Sequence, residues 1–285
     1  MTHKIYLLIC LCLLSLAGNA QSTVLESLSF DSQKLGRKVS YSIYLPADYN
    51  TSQRNYPVLY LLHGYTDNET NWIQMGQMKI ITDQAIAKQQ AVPMIIVMPD
   101  AWDTWYINQY DGKAPYEDMF FEELIPYMEK TYRIRKDKES RAIAGLSMGG
   151  YGSFLYSLHH PDMFCACAPL SAAVFSDEVM ALRKEQSNKD LFYRLYGPDD
   201  KHWEKNSVLK ILSEWDKENL PRVRYYIDCG DDDGLLAGNF EVHRIMQEKG
   251  IRHEFRVRNG GHTWTYWRTA LPKVLKFVSD AFCRS

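Results

Sequence analysis

The sequence predicts a single α/β domain, a doubly wound and mostly parallel sheet with flanking helices, and three observations carry that prediction. Short continuous apolar runs, 58–62 and 94–98 among them, have the composition of strands buried on both faces. Stretches with helical apolar spacing alternate with those runs, as in 116–131 with Met119, Phe120, Leu124, Tyr127 and Met128. No repeat, low-complexity stretch or linker interrupts the alternation, so one domain follows.

The elements can be justified in order. His3 and Lys4 make a short basic start, 5–16 is an apolar run too short to span a bilayer, and Gly18-Asn19-Ala20 ends it in small residues. Residues 1–20 therefore read as a cleaved secretory signal, with a retained anchor as the alternative. Residues 21–285 then form the domain, exported to a periplasmic or extracellular space. Segments 24–31 and 37–45 alternate polar and apolar residues like an antiparallel pair at a sheet edge. After the buried strand 58–62 come His63-Gly64-Tyr65, a polar loop and one helix over about 72–89. Strand 94–98 precedes an aromatic loop at 100–115, and the helix 116–131 follows. Strand 142–144, helix 151–159 and strand 164–169 come next. Residues 173–220 break the rhythm, since they are charged and helix-forming, and predict a helical cap or an inserted pair of helices. The alternation resumes with strand 222–229, helix 235–249, strand 253–258 and a last helix from about 265 to 282.

Residues 141–150, R-A-I-A-G-L-S-M-G-G, carry the chemistry. A short strand runs into Gly145-Leu146-Ser147-Met148-Gly149, a G-x-S-x-G pattern, and a helix follows. That is the strand-to-helix elbow of α/β-hydrolases, which pushes a serine hydroxyl out over the sheet edge. Ser147 then sits at a helix N-terminus, where backbone N–H groups favour a developing oxyanion. A serine hydroxyl is a poor nucleophile at neutral pH, so it requires a base and a group to orient that base. Gly260-Gly261-His262 closes one later strand and Asp231-Asp232-Asp233 closes another, giving the chain order Ser…Asp…His of this fold. His262 is the candidate base. The acid is one of Asp231, Asp232 and Asp233, which could also be a fragment of a calcium loop, although the other ligand positions of such a loop are missing. The oxyanion donors expected are the backbone N–H groups of Met148 and Tyr65. His63 reads as a residue that shapes that loop, and His159 and His160 as structural, closing a helix before Pro161.

The whole sequence has a formal charge of −2, with no basic patch to serve nucleic acid or an anionic membrane. Of six cysteines, Cys10 and Cys12 leave with the signal. Cys165, Cys167 and Cys229 fall in apolar segments and read as small buried hydrophobes, the first two on one strand face, and Cys283 lies near the end. No C-x-x-C or Cys/His cluster predicts a metal site, and no cofactor is implied.

The segments R-A-I-A-G-L-S-M-G-G, Leu62-His63-Gly64, Tyr116-Glu117-Asp118, Glu123-Leu124-Ile125-Pro126-Tyr127, Cys229-Gly230 and Gly260-Gly261-His262 together resemble the esterase D / carbohydrate esterase family 1 group. That group includes feruloyl esterases, acetylxylan esterases, S-formylglutathione hydrolases and mycolyltransferases. The resemblance spans nearly the whole of 21–285 and is strongest to the feruloyl-esterase branch, whose C-G-x-x-D segment implies Asp233 as the acid. It implies a serine esterase acting on acetyl or feruloyl esters of plant cell-wall carbohydrate, a small-molecule or polysaccharide substrate. Transfer of the acyl group to a sugar and a non-catalytic carbohydrate-binding role are the alternatives. The 173–220 insertion is longer than in the compact feruloyl esterases. The aromatic residues Trp105 and Tyr106, in the family's W-Y-x-N-like segment, and Trp264 are the candidates for substrate binding.

Overall fold

Eight strands make one sheet in the computed structural model, which describes residues 21–186, 189–198, 200–216 and 222–282. They are β1 (Thr23–Ser32), β2 (Arg37–Leu45), β3 (Val58–Leu62), β4 (Ile95–Pro99), β5 (Arg141–Leu146), β6 (Ala166–Leu170), β7 (Arg224–Gly230) and β8 (His253–Arg258). Their spatial order is β1-β2-β4-β3-β5-β6-β7-β8. β1 pairs antiparallel with β2 and β2 with β4, and every pair from β4 to β8 is parallel. The fold is therefore the α/β-hydrolase fold that the sequence predicts. Residues 1–20, which the sequence reads as a signal, and Cys283 lie outside the described residues.

The strand period of two divides the core. Val58, Tyr60 and Leu62 of β3 face one apolar cluster, and Leu59 and Leu61 face the other. The first cluster is covered by α3 (Tyr116–Met119), α4 (Ile125–Thr131), α5 (Met148–His159) and α10 (Leu236–Lys249). The second is covered by α1 (Asn71–Gln74), α2 (Met78–Ala87) and α11 (Trp264–Phe282). β3 and β5 at the centre are wholly buried, so each needs the near-continuous apolar run that makes it legible.

Four details differ from the sequence reading. The single helix expected over 72–89 is two, because Gln77 adopts a left-handed conformation (φ 53°) after Gly76, where a Cβ would lie 2.5 Å from the Trp72 carbonyl oxygen. The helix at 116–131 holds a π-helical turn, Phe120–Leu124, just before Pro126, which has no N–H to continue the α ladder. Among the described residues the insertion holds not a pair of helices but four short ones, α6 (Asp177–Gln186), α7 (Lys189–Tyr196), α8 (Lys201–Asn206) and α9 (Val208–Glu214). Gly197, with φ 76°, stops α7, and the Ser207 hydroxyl caps α9 by accepting the Lys210 N–H. Cys165 precedes β6 rather than lying in it, so it packs on the second cluster while Cys167 faces the first. Burial pushes both thiols, and that of Cys229, up to about 12, so they stay protonated and inert.

Candidate active site

The turn between β5 and α5 holds Ser147 at φ 55° and ψ −116°, a region that L-residues rarely occupy. Its neighbours over-determine that geometry: the Ser147 N–H donates to the Leu170 carbonyl at 2.9 Å, and the Ser147 carbonyl accepts from Tyr151 and Ala173. The flanking glycines are required by close approach. A Cβ at Gly145 would lie 2.4 Å from the Gly149 carbonyl oxygen, and one at Gly149 would lie 2.5 Å from the His63 carbonyl oxygen.

Three of the sequence-predicted residues come together in one line. His262 Nε2 is 2.9 Å from Ser147 Oγ, and His262 Nδ1 is 2.9 Å from Asp233 Oδ2. A carboxylate can only accept, so Nδ1 carries the proton and Nε2 is left to accept from the serine hydroxyl. Asp233 closes β7 with its carboxylate fully buried, whereas the imidazole is 37% exposed to the solvent side. Burial alone would raise the Asp233 carboxyl. Hydrogen bonds from His262, the Leu235 N–H and the Ser171 hydroxyl outweigh it and hold the carboxyl below its ordinary value. Asp231 has a different task, since its Oδ1 accepts the Gly260 N–H at 2.9 Å and braces the loop that carries His262. Asp232 is exposed and contributes only its N–H, to the Gly260 carbonyl. Among the described residues no group of three or more His, Cys, Asp and Glu side chains is placed to hold a metal ion.

The two backbone positions expected as oxyanion donors adjoin this line. Met148 is the first residue of α5, where the N–H groups have no intrahelical acceptor. Tyr65 follows Gly64, where an added Cβ would sit 3.5 Å from the Ser147 Cβ, so that loop runs against the serine. His63 holds the loop in place. Its Nε2 accepts the Ala101 N–H at 2.8 Å, which leaves Nδ1 to donate to the Gly64 carbonyl at 2.8 Å. The sequence also placed His159 and His160 correctly as structural groups, since both donate to the Glu117 carboxylate, at 2.8 and 3.0 Å.

A cavity of about 610 Å³ opens on Ser147 and His262. Tyr65 and Trp105, with rings 6.1 Å apart, line it together with Phe175, Met180, Leu191, Phe192, Leu195 and Tyr196. The insertion therefore supplies most of the apolar wall. Trp105 is where the sequence reading put it. Tyr106 is not: its side chain is fully buried, with the hydroxyl donating to the His63 carbonyl at 3.0 Å, so it supports the oxyanion loop from behind. Trp264 also stays outside the cavity, packed edge-to-face on Trp72 and Trp267 at 5.3 Å each. The aromatic loop keeps Trp102, Trp105 and Tyr106 all at positive φ, a strained arrangement for bulky residues that turns neighbouring rings to opposite sides.

Sequence reasoning missed two residues behind the line. Trp267 Nε1 donates to Ser171 Oγ at 3.1 Å, and its ring stands edge-to-face on the His262 imidazole at 4.9 Å. Ser171, fully buried, sits beside the Asp233 carboxylate and helps to hold it below its ordinary value. The only hint in the sequence is that Ser171 follows a strand ending on the site edge.

The esterase family, described as "Putative esterase", matches residues 32–278. An endo-1,4-beta-xylanase/feruloyl esterase of Xylanibacter ruminicola is 35% identical over 257 residues, which cover 88% of this chain and 30% of that protein. The chain thus spans less than a third of that relative. An acetyl esterase of Caldicellulosiruptor saccharolyticus is 24% identical, with 90% of this chain and 95% of that one covered. A solved ferulic acid esterase superposes with a TM-score of 0.80 at 36% identity, over 93% of this chain and 100% of the other.

Proposed function

This chain belongs to the esterase family of carboxylic ester hydrolases, and we propose that it is an exported serine esterase releasing hydroxycinnamoyl groups, and secondarily acetyl groups, from plant cell-wall carbohydrate. The observation that carries this reading is the hydrogen-bonded line Ser147–His262–Asp233 at the mouth of an aromatic cavity far larger than an acetyl group needs.

The chemistry follows from the geometry. Ser147 Oγ attacks the ester carbonyl while His262 Nε2 takes its proton, and Asp233 holds the imidazole in the accepting tautomer and stabilises the imidazolium. The carbonyl oxygen becomes an oxyanion within reach of the Met148 and Tyr65 N–H groups, where one such donor is worth about 10²–10³ in turnover. The imidazolium returns its proton to the departing alcohol, leaving an acyl-serine. Water then repeats the sequence and frees the acid. The planar acyl group lies against Trp105 and Phe175, whose rings are 6.2 Å apart, and each ring contact adds about 0.5–1.5 kcal/mol beyond buried area.

Export rests on the composition of 1–20, and the cell-wall substrate on the cavity together with the feruloyl-esterase and acetyl-esterase names of the relatives. The test is competition among methyl ferulate, acetylated xylan and a long-chain triglyceride. Methyl ferulate should have the highest kcat/KM. A triglyceride outcompeting both would overturn the reading and make α6 and α7 the lid of a lipase.

A further inference from the structure

Beside the cavity at Ser147 lies a second depression, a groove of about 890 Å³ between α6, α9 and α10. The two share Phe175, Arg183, Gly234 and Leu235, so the groove adjoins the cavity that opens on Ser147. It follows one stripe of α10, from Ala237 through Glu241 and Arg244 to Glu248. At the α-helical rise that stripe is about 16 Å long, more than a single sugar ring occupies.

The two depressions differ in chemistry. The acyl cavity is walled by rings and aliphatic chains, whereas five carboxylates and four cations line the groove. Most of those charges are already paired. Arg244 bridges Glu241 and Glu248 along α10, Lys210 bridges Glu204 and Glu214, and Lys249 Nζ donates to the Trp215 carbonyl at 2.9 Å. Paired charges leave no field of one sign to hold an ion. They do set donors and acceptors side by side, which suits a neutral polyhydroxylated chain, because every hydroxyl both donates and accepts. An apolar acyl chain would instead leave those polar groups desolvated and unpaired.

We infer that this groove holds the carbohydrate portion of the ester, a neutral oligosaccharide running away from the scissile bond, while the acyl group fills the cavity at Ser147. The inference rests on the reading of the chain as a carbohydrate esterase. It gives the 173–220 insertion a purpose: α6 separates the two subsites, with Phe175 and Arg183 at the seam, and α9 forms the outer wall of the sugar groove.

Two measurements test it. The first compares kcat/KM for methyl ferulate with feruloyl esters of xylose and of xylo-oligosaccharides of increasing length. The second titrates an unesterified xylo-oligosaccharide into the Ser147→Ala chain by calorimetry. The expected result is a rise of about ten-fold in kcat/KM from methyl ester to oligosaccharide ester, carried by KM, together with measurable binding of the free oligosaccharide. Ala237→Trp, which fills the groove from an exposed position, should abolish both the binding and the dependence on length; its turnover of methyl ferulate reports that the variant has folded. If feruloyl saccharides are hydrolysed with a kcat/KM that is flat in length, or a length dependence survives Ala237→Trp, the groove is refuted and the carbohydrate-esterase reading stands. If methyl ferulate is turned over and no feruloyl saccharide is, that reading falls and takes the groove with it.

Discussion

Replacing Asp233 by asparagine probes the site at one atom. The carboxylate uses its two oxygens for different partners: Oδ1 accepts the Leu235 N–H at 2.9 Å and Oδ2 accepts from His262 Nδ1 at 2.9 Å. In Asp233→Asn the single amide oxygen goes to the Leu235 N–H, whose position is fixed by the start of α10. The new NH₂ group then faces His262 Nδ1 and donates to it. The imidazole must carry its proton on Nε2, toward Ser147, where it can no longer accept the hydroxyl proton. Inverting the tautomer in this way costs about 10⁴ in kcat, with little change in fold because the side-chain volume is conserved. Turnover of p-nitrophenyl acetate measures it, with circular dichroism as the check on folding. Asp231→Asn is the control. An amide oxygen there still accepts the Gly260 N–H, so its loss should stay within a few-fold. A loss below ten-fold for Asp233→Asn, or a greater loss for Asp231→Asn, would refute this assignment of the carboxylates.

Two further outcomes follow, one from a group behind the site and one from a structural cluster away from it. Trp267→Phe removes the N–H that holds Ser171 and so loosens Asp233 without touching substrate; kcat should fall about ten-fold with KM unchanged, and a change confined to KM would contradict the positioning role. The Glu117 cluster makes stability depend on pH. Burial would raise the Glu117 carboxyl, but the hydrogen bonds from His159 and His160 lower it, and burial would lower His159, but Glu117 raises it. The carboxylate's share is therefore complete above its ordinary value near ~4.3 and lost as pH falls through the lowered one, and the imidazolium's share is complete below its ordinary value near ~6.5 and lost as pH rises through the raised one. Glu117→Gln should destabilise by about 1.5–3 kcal/mol at pH near 5.5 and by clearly less at pH 9 in urea titrations, where an equal loss at both would remove the ionic contribution.

The sequence made some features legible because single local rules govern them. Central strands β3 and β5 are buried on both faces and so appear as uninterrupted apolar runs. Ser147, the aspartates at 231–233 and His262 each stand just past a strand end, which is why their order alone could put them on one sheet edge, while the choice of Asp233 among the three came from the family resemblance. Other features depend on the third dimension. Trp105 and Tyr106 are adjacent aromatics, and only the strained loop decides that one lines the cavity while the other buries its hydroxyl on His63. The break at Gln77 is a left-handed turn at a residue type with no preference for it. The four helices of the insertion are short and charged, so periodicity resolves their number poorly. Ser171 acts through tertiary contacts with Trp267 and Asp233, for which no sequence pattern exists.

The central claim is that ester cleavage passes through an acyl group on Ser147. Mixing the chain with p-nitrophenyl acetate in stopped flow and digesting the acid-quenched protein for mass spectrometry tests it directly. The account requires acetylation of the peptide that contains Ser147, formed as fast as p-nitrophenol is released, and no such adduct in the Ser147→Ala chain. Turnover that persists in Ser147→Ala, or an acetyl group found only on another residue, would contradict it.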